Sequence, residues 1–257
     1  MARRALLVKT GWNVAEVIEV TQETRTARTL RLRLPGLAGH RAGQHVDVRL
    51  SAPDGYTAVR SYSVASASPG DELDLTVEEL ADGEVSPYLV RQVAVGDQLE
   101  VRGPVGGWFV WDPADPSPVQ LIAGGSGVVP LMAMLRAHTA AAGSASPGGA
   151  APFRLLYSVR GPDAVYYGAE LDDLARLPLV DVTVVYTREA PAGSNEPPRR
   201  LDAATLVRST LPAADNPAVF VCGATAFVET VADWLVQAGH SPARIKTERY
   251  GGTGTRP

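Results

Sequence analysis

Gly124, Gly125, Ser126 and Gly127 follow a compact apolar run and lead into Pro130, an order of residue types that suits an anion. Glycines let a backbone approach a ligand closely, and a helix opening behind them offers unpaired N–H groups and the positive end of its dipole. Pro130 is harmless in that first helical turn, where backbone donors lack partners anyway. A pyrophosphate fits such a place, although many strand-to-helix turns need glycine for steric reasons alone. Val221, Cys222 and Gly223 close a second apolar run, and in an open parallel sheet ligands gather at the carboxyl ends of strands. Cys222 is therefore either a ligand neighbour or a small buried hydrophobe. With no histidine or asparagine partner suggested by the sequence, it is not read as a covalent nucleophile. Earlier in the chain stand Arg60, Ser61, Tyr62 and Ser63. In combination they could supply a cation for a phosphate, an aromatic face for a ring and a hydroxyl for a ring nitrogen. Alone they would read as an ordinary strand of alternating polarity.

These residues need elements to hold them, and the two parts of the chain differ in pattern. Residues 14–20, 27–34, 45–51, 60–65, 74–79 and 98–102 alternate or are β-branched, as in short antiparallel strands closing a barrel. Arg28, Arg31 and Arg33 alternate with Leu30, Leu32 and Leu34, which reads more simply as one wet strand face than as a docking patch. A helix is expected over residues 86–93, with Ser86 as N-cap and Pro87 at its first position. Pro113, Pro116 and Pro118 then mark a linker. Beyond it, residues 119–123, 153–159, 180–187 and 218–222 are apolar runs expected to be buried on both faces. They alternate with helical stretches at 130–139, 167–176, 202–209 and 226–238, the last stopping at Gly239, and residues 245–250 would add a fifth strand. The low-complexity segments 140–152 and 191–198 are expected to be loops. The fold class is thus β plus α/β: an antiparallel barrel over residues 1–113 and an open parallel five-stranded α/β domain over residues 114–257.

Composition narrows the classes. Of 257 residues, 45% are hydrophobic and 20% charged, an ordinary globular balance. The single cysteine rules out a disulfide or a four-cysteine iron–sulfur cluster within this chain, so any metal centre would belong to a partner. A net charge of -4 argues against general nucleic-acid binding. No run of about 18 apolar residues is present, and MARRALLV is followed at once by Lys9 without a signal-peptide core, so a cytoplasmic location is expected.

Arg60-Ser61-Tyr62-Ser63, then Gly124-Gly125-Ser126-Gly127 with Pro130, then Val221-Cys222-Gly223, then Glu248-Arg249-Tyr250 together resemble the ferredoxin–NADP reductase superfamily. The likeness is greatest to the FAD/NAD(P) modules that serve oxygenases and ferredoxins. It covers nearly the whole chain, and the motifs occur in the family's order. The resemblance implies that Arg60 holds the FAD pyrophosphate, Tyr62 packs on the flavin and Ser63 bonds to flavin N5, with Ser61 counted among the cofactor-binding positions. Gly83, Glu84, Val85 and Ser86 look like the second flavin element, with Val77 counted among the flavin-binding positions. Gly103-Pro104 resembles the turn that closes the barrel, while Trp108 and Trp111 suggest core or interface packing. Cys222 and Gly223 would lie beside the nicotinamide, Tyr250 would cover the flavin, and Glu248 would help the two rings meet. Thr187-Arg188-Glu189 looks like the element that holds the 2′-phosphate in NADP-dependent members, with Arg160, Arg199 and Arg200 able to add charge. The resemblance therefore implies an FAD enzyme, using NADPH with NADH as the alternative. Ser63, Cys222 and Glu248 would frame hydride transfer, and a separate ferredoxin, flavodoxin, haem protein or oxygenase would receive the electrons. A small acceptor, or a non-catalytic flavin-binding module, remains the competing reading.

Overall fold

The computed structural model describes residues 11–67, 70–142, 151–194 and 196–250. The amino-terminal segment read above for a leader lies outside them, as do residues 143–150 of the expected loop and residue 195. The chain divides into two compact units. One is Met1–Asp112 with Met132–Ala137, and the other is Pro113–Leu131 with His138–Pro257.

The first unit is built on β1 (Asn13–Thr24), β2 (Ala27–Arg33), β3 (His45–Ser51), β4 (Thr57–Ser63), β5 (Glu72–Glu78), the short helix α1 (Ser86–Arg91) and β6 (Gln98–Val105). The strands form one antiparallel sheet in the order β4-β3-β6-β1-β2-β5. A bridge from Val64, just past β4, to Leu75 of β5 joins the two ends of that order and closes the barrel. Alternation along β2 does what the sequence requires. Leu30 and Leu32 are fully buried, with Leu34 just beyond the strand end, and Leu73, Leu75 and Val77 of β5 join them in the same core. Each such side chain contributes about 1.5–3 kcal/mol by leaving water. On the outer face Arg31 bonds Asp74 (2.8 Å) and Glu19 (2.7 Å), and Arg33 meets Glu72 (3.3 Å). The arginine cluster is therefore a paired, solvated strand face. Trp111 is buried as expected, whereas Trp108, beyond the end of β6, is 65% exposed.

The second unit contains β7 (Val119–Gly124), α2 (Val128–Ala142), β8 (Phe153–Val159), α3 (Gly168–Leu174), β9 (Val180–Tyr186), α4 (Ala203–Ser209), β10 (Ala218–Ala224), α5 (Thr225–Gln237) and β11 (Ile245–Tyr250). Its five strands are all parallel, in the order β11-β10-β7-β8-β9. β7, β8 and β10 are nearly continuous buried runs, as central parallel strands should be. β9 departs from that expectation: only Val180 is buried, because the strand forms the sheet edge and is covered incompletely. Asp202 caps α4 by accepting the Thr205 N–H at 2.7 Å, and α5 is followed, after its C-cap Ala238, by Gly239, whose φ of +93° suits glycine. Among the described residues, no helix is long and apolar enough to cross a membrane.

Candidate functional sites

In the barrel unit, β4 presents Arg60, Ser61, Tyr62 and Ser63 opposite Val48, Asp47, Val46 and His45 of β3. The period of two puts Arg60 and Tyr62 on one face, and Ser61 and Ser63 on the other. Ser61 donates to Asp47 at 2.6 Å, and Asp47 also accepts from Arg102 at 2.7 Å, so this serine is engaged within the sheet. Tyr62 packs against the barrel core, and burial pushes its phenol pKa up to about 12, which keeps it neutral. Arg60 is half exposed. It donates to the Val59 carbonyl (2.8 Å) and to Glu84 (2.6 Å), while Tyr56 donates to the other Glu84 oxygen at 2.7 Å. The tertiary structure thus joins two of the expected cofactor residues directly to each other. Glu84 is held below the ordinary carboxylate range, first by the Tyr56 hydroxyl and then by Arg60. Tyr56 gave no signal in the sequence, since an aromatic residue after a glycine turn is commonplace.

One expectation for this segment is corrected. Ser86 is not the N-cap of α1. Val85 holds that position without a side-chain cap, and the Ser86 hydroxyl turns inward to accept the Leu80 N–H at 3.0 Å. Burial explains the choice, because Ser86 is 6% exposed and its hydroxyl satisfies the tight turn at Gly83, where an added Cβ would come within 2.8 Å of it. The side chain of Val77 is fully buried in the barrel core. Val85 is buried likewise, which leaves only backbone groups there to meet a cofactor.

In the α/β unit, Gly124 ends β7, Gly125-Ser126-Gly127 form a 3-10 turn, and α2 opens at Val128 with Pro130 in its first turn. Gly125 has φ +56°, and a Cβ on Gly127 would overlap the carbonyl of Cys222 and come within 2.8 Å of Gly223 N. These glycines bring the turn against the carboxyl end of β10. Tyr250 donates to the Gly124 carbonyl at 2.6 Å, so its ring reaches across the glycine turn. Parallel pairing sets Cys222 beside Glu248, with Sγ 3.9 Å from Oε1. Cys222 is 1% exposed, and burial, reinforced by the Glu248 carboxylate, pushes its thiol well above the ordinary range. We expect native protein to resist iodoacetamide at pH 8, alkylating at least about tenfold more slowly than unfolded protein. Rapid native labelling, followed by mass spectrometry, would contradict the buried thiol.

Arg160, Arg188 and Arg200 converge on one cavity of about 710 Å³, which Ser158, Thr187, Leu201, Phe227 and Trp234 also line. Arg160 and Arg188 follow the carboxyl ends of β8 and β9, tied by the Arg188 N–H to the Arg160 carbonyl at 2.8 Å. Arg200 arrives from the segment before α4, whereas Arg199 faces a different hollow beside β9. Among the described residues none of these three guanidinium groups has a carboxylate partner. Unpaired cations in one cavity with the apolar side chains of Leu201, Phe227 and Trp234 suit a phosphorylated ligand with a flat base. The arginines were visible in the sequence; their convergence, and the part played by Trp234, were not.

The family model for the oxidoreductase FAD-binding domain matches residues 14–110, and that for the oxidoreductase NAD-binding domain matches residues 121–233. The chain is 34% identical over 218 residues to ferredoxin–NADP reductase B of Sorangium cellulosum, covering 81% of this chain and 84% of that one. It is 31% identical over 251 residues to the glycine betaine monooxygenase reductase subunit of Chromohalobacter salexigens, covering 95% of this chain. The chain spans 65% of the length of that relative. Among solved structures, the FAD/NAD-binding domain of a Vibrio cholerae nitric oxide dioxygenase superposes with a TM-score of 0.79 at 26% identity, over 93% of this chain and 99% of the other. Barrel, parallel sheet, glycine turn and both domain matches agree, and the chain belongs to the ferredoxin–NADP reductase-like family of FAD-dependent NAD(P)H oxidoreductases.

Proposed function

We propose that the protein oxidises NADPH, in preference to NADH, through FAD, and passes the electrons to a separate ferredoxin, flavodoxin, haem protein or oxygenase. The observation that carries the choice of nucleotide is the cavity with three unpaired arginines: NADPH differs from NADH by a 2′-phosphate, and fixed cations are what recognise it. The separate acceptor is supported by the relative that is a monooxygenase reductase subunit. We assign residues 1–113 to FAD and 114–257 to the nucleotide, in a cytoplasmic setting where reduced nucleotide is supplied.

The residues present fit both groups. Arg60 already offers a half-exposed guanidinium to an anion, and the neutral Tyr62 supplies an aromatic surface next to it on the same strand face. When bound, FAD accepts a hydride and releases electrons singly, which is chemistry the protein's side chains lack. Ser63 would offer its hydroxyl to flavin N5, and the backbone at Gly83, Glu84, Val85 and Ser86 would meet the diphosphate. Gly124 to Gly127 and Gly223 would accommodate the nucleotide backbone closely, with Pro130 fixing the start of the helix behind them. Cys222, held protonated, and Glu248 would bound the nicotinamide side without acting as a nucleophile. Tyr250 would cover the flavin.

Anaerobic mixing of the FAD-loaded full chain with NADPH tests the proposal directly. We expect the yellow flavin absorbance to bleach, and to bleach more slowly with NADH. Colour that persisted with both nucleotides would end the reductase reading. Faster reduction of cytochrome c when a ferredoxin is added would support a protein acceptor.

A further inference from the structure

We propose that Glu84 is an internal competitor for the flavin diphosphate, seated on the Arg60 guanidinium that FAD must claim. The proposal rests on the reading that the barrel unit binds FAD through Arg60, and it assigns to the Glu84 side chain a role opposed to that of its backbone. Glu84 stands two residues before α1, in the turn that leads into it. Its carboxylate takes Arg60 on one oxygen at 2.6 Å and the Tyr56 hydroxyl on the other at 2.7 Å. Tyr56 therefore holds the acid in place from the far side, and the Val59 carbonyl holds the guanidinium from behind at 2.8 Å.

A phosphate oxygen and a carboxylate oxygen ask the same thing of arginine: in-plane N–H donors and a positive charge. Both cannot occupy one guanidinium edge without close like-charge contact, which is costly even near solvent. The side chains of Arg60 and Glu84 are 51% and 48% exposed, so the pair itself is easily exchanged. FAD wins by displacing Glu84 toward water, and the displacement weakens binding. Glutamine at the same position keeps the length and can still accept from Tyr56, but it carries no charge to compete with.

Flavin affinity measured by fluorescence titration of the FAD-free full chain reads this directly, without turnover. Glu84→Gln is expected to tighten FAD binding about tenfold, and Tyr56→Phe, which loosens the acid, by about two- to threefold. In an Arg60→Ala background the gain from Glu84→Gln should shrink to less than about twofold, since the competition runs through Arg60. Unchanged or weaker binding in Glu84→Gln would overturn the proposal. So would an equal gain in the Arg60→Ala background, which would make the effect a general charge effect. A folded wild type that bound no FAD would instead remove the flavin reading on which the proposal stands.

Discussion

Replacing Arg188 and Arg200 together by alanine is expected to lower kcat/KM for NADPH about 100-fold while leaving the value for NADH within about threefold. Hydrogen bonds to a charged group contribute roughly 1.5–3 kcal/mol each, and each 1.4 kcal/mol is a factor of ten. Two such contacts, reduced by their partial exposure to solvent, give the stated size. The loss should fall mainly on KM, because the 2′-phosphate lies far from the reacting carbon and is bound equally in ground and transition states. It should also shrink as salt rises, since the arginines line an open cavity. Arg160 shares the cavity, so the single variants should each lose less than half of the effect on a logarithmic scale. Equal losses with NADPH and NADH would show that the arginines serve folding or general nucleotide binding, and would remove the case for NADPH.

Gly127→Ala is expected to destabilise the protein by about 3 kcal/mol, lowering Tm by roughly 6–12 °C, and to abolish nucleotide binding at ordinary concentrations. The added Cβ would overlap the Cys222 carbonyl and approach Gly223 N to 2.8 Å, and both are backbone of buried residues in β10. No side chain can rotate away to relieve it. Either the turn must lift from β10 or β10 must shift against its neighbours β7 and β11, which it meets in continuous parallel register. Gly107→Ala is a useful control, because a Cβ there meets nothing within 4 Å. Thermal unfolding of the two variants in parallel checks the claim. A Gly127→Ala variant as stable as the Gly107→Ala control would show that the turn yields more readily than this packing allows.

Which segments form strands and which form helices follows from local pattern. Residues 45–51, 153–159 and 245–250 were bounded correctly because period-two alternation and buried β-branched runs act over neighbouring residues, as do a proline linker and a terminal glycine. The glycine turn before α2 was legible for the same reason: its conformation depends on residues that adjoin in the chain. Burial and pairing were decided elsewhere. β9 carries the apolar composition of a central strand and became an edge, since strand order is fixed by crossovers rather than by a strand's own residues. Ser86 has the chemistry of an N-cap, but the Leu80 N–H six residues earlier claimed its hydroxyl. Arg60 is 24 residues from Glu84, and Arg200 is 40 residues from Arg160, yet each pair shares a site. Such meetings depend on register and on chain return, which no local period encodes. The sequence therefore specified the chemical groups available, and only the tertiary structure chose which charges would be neutralised and which would stay open to a ligand.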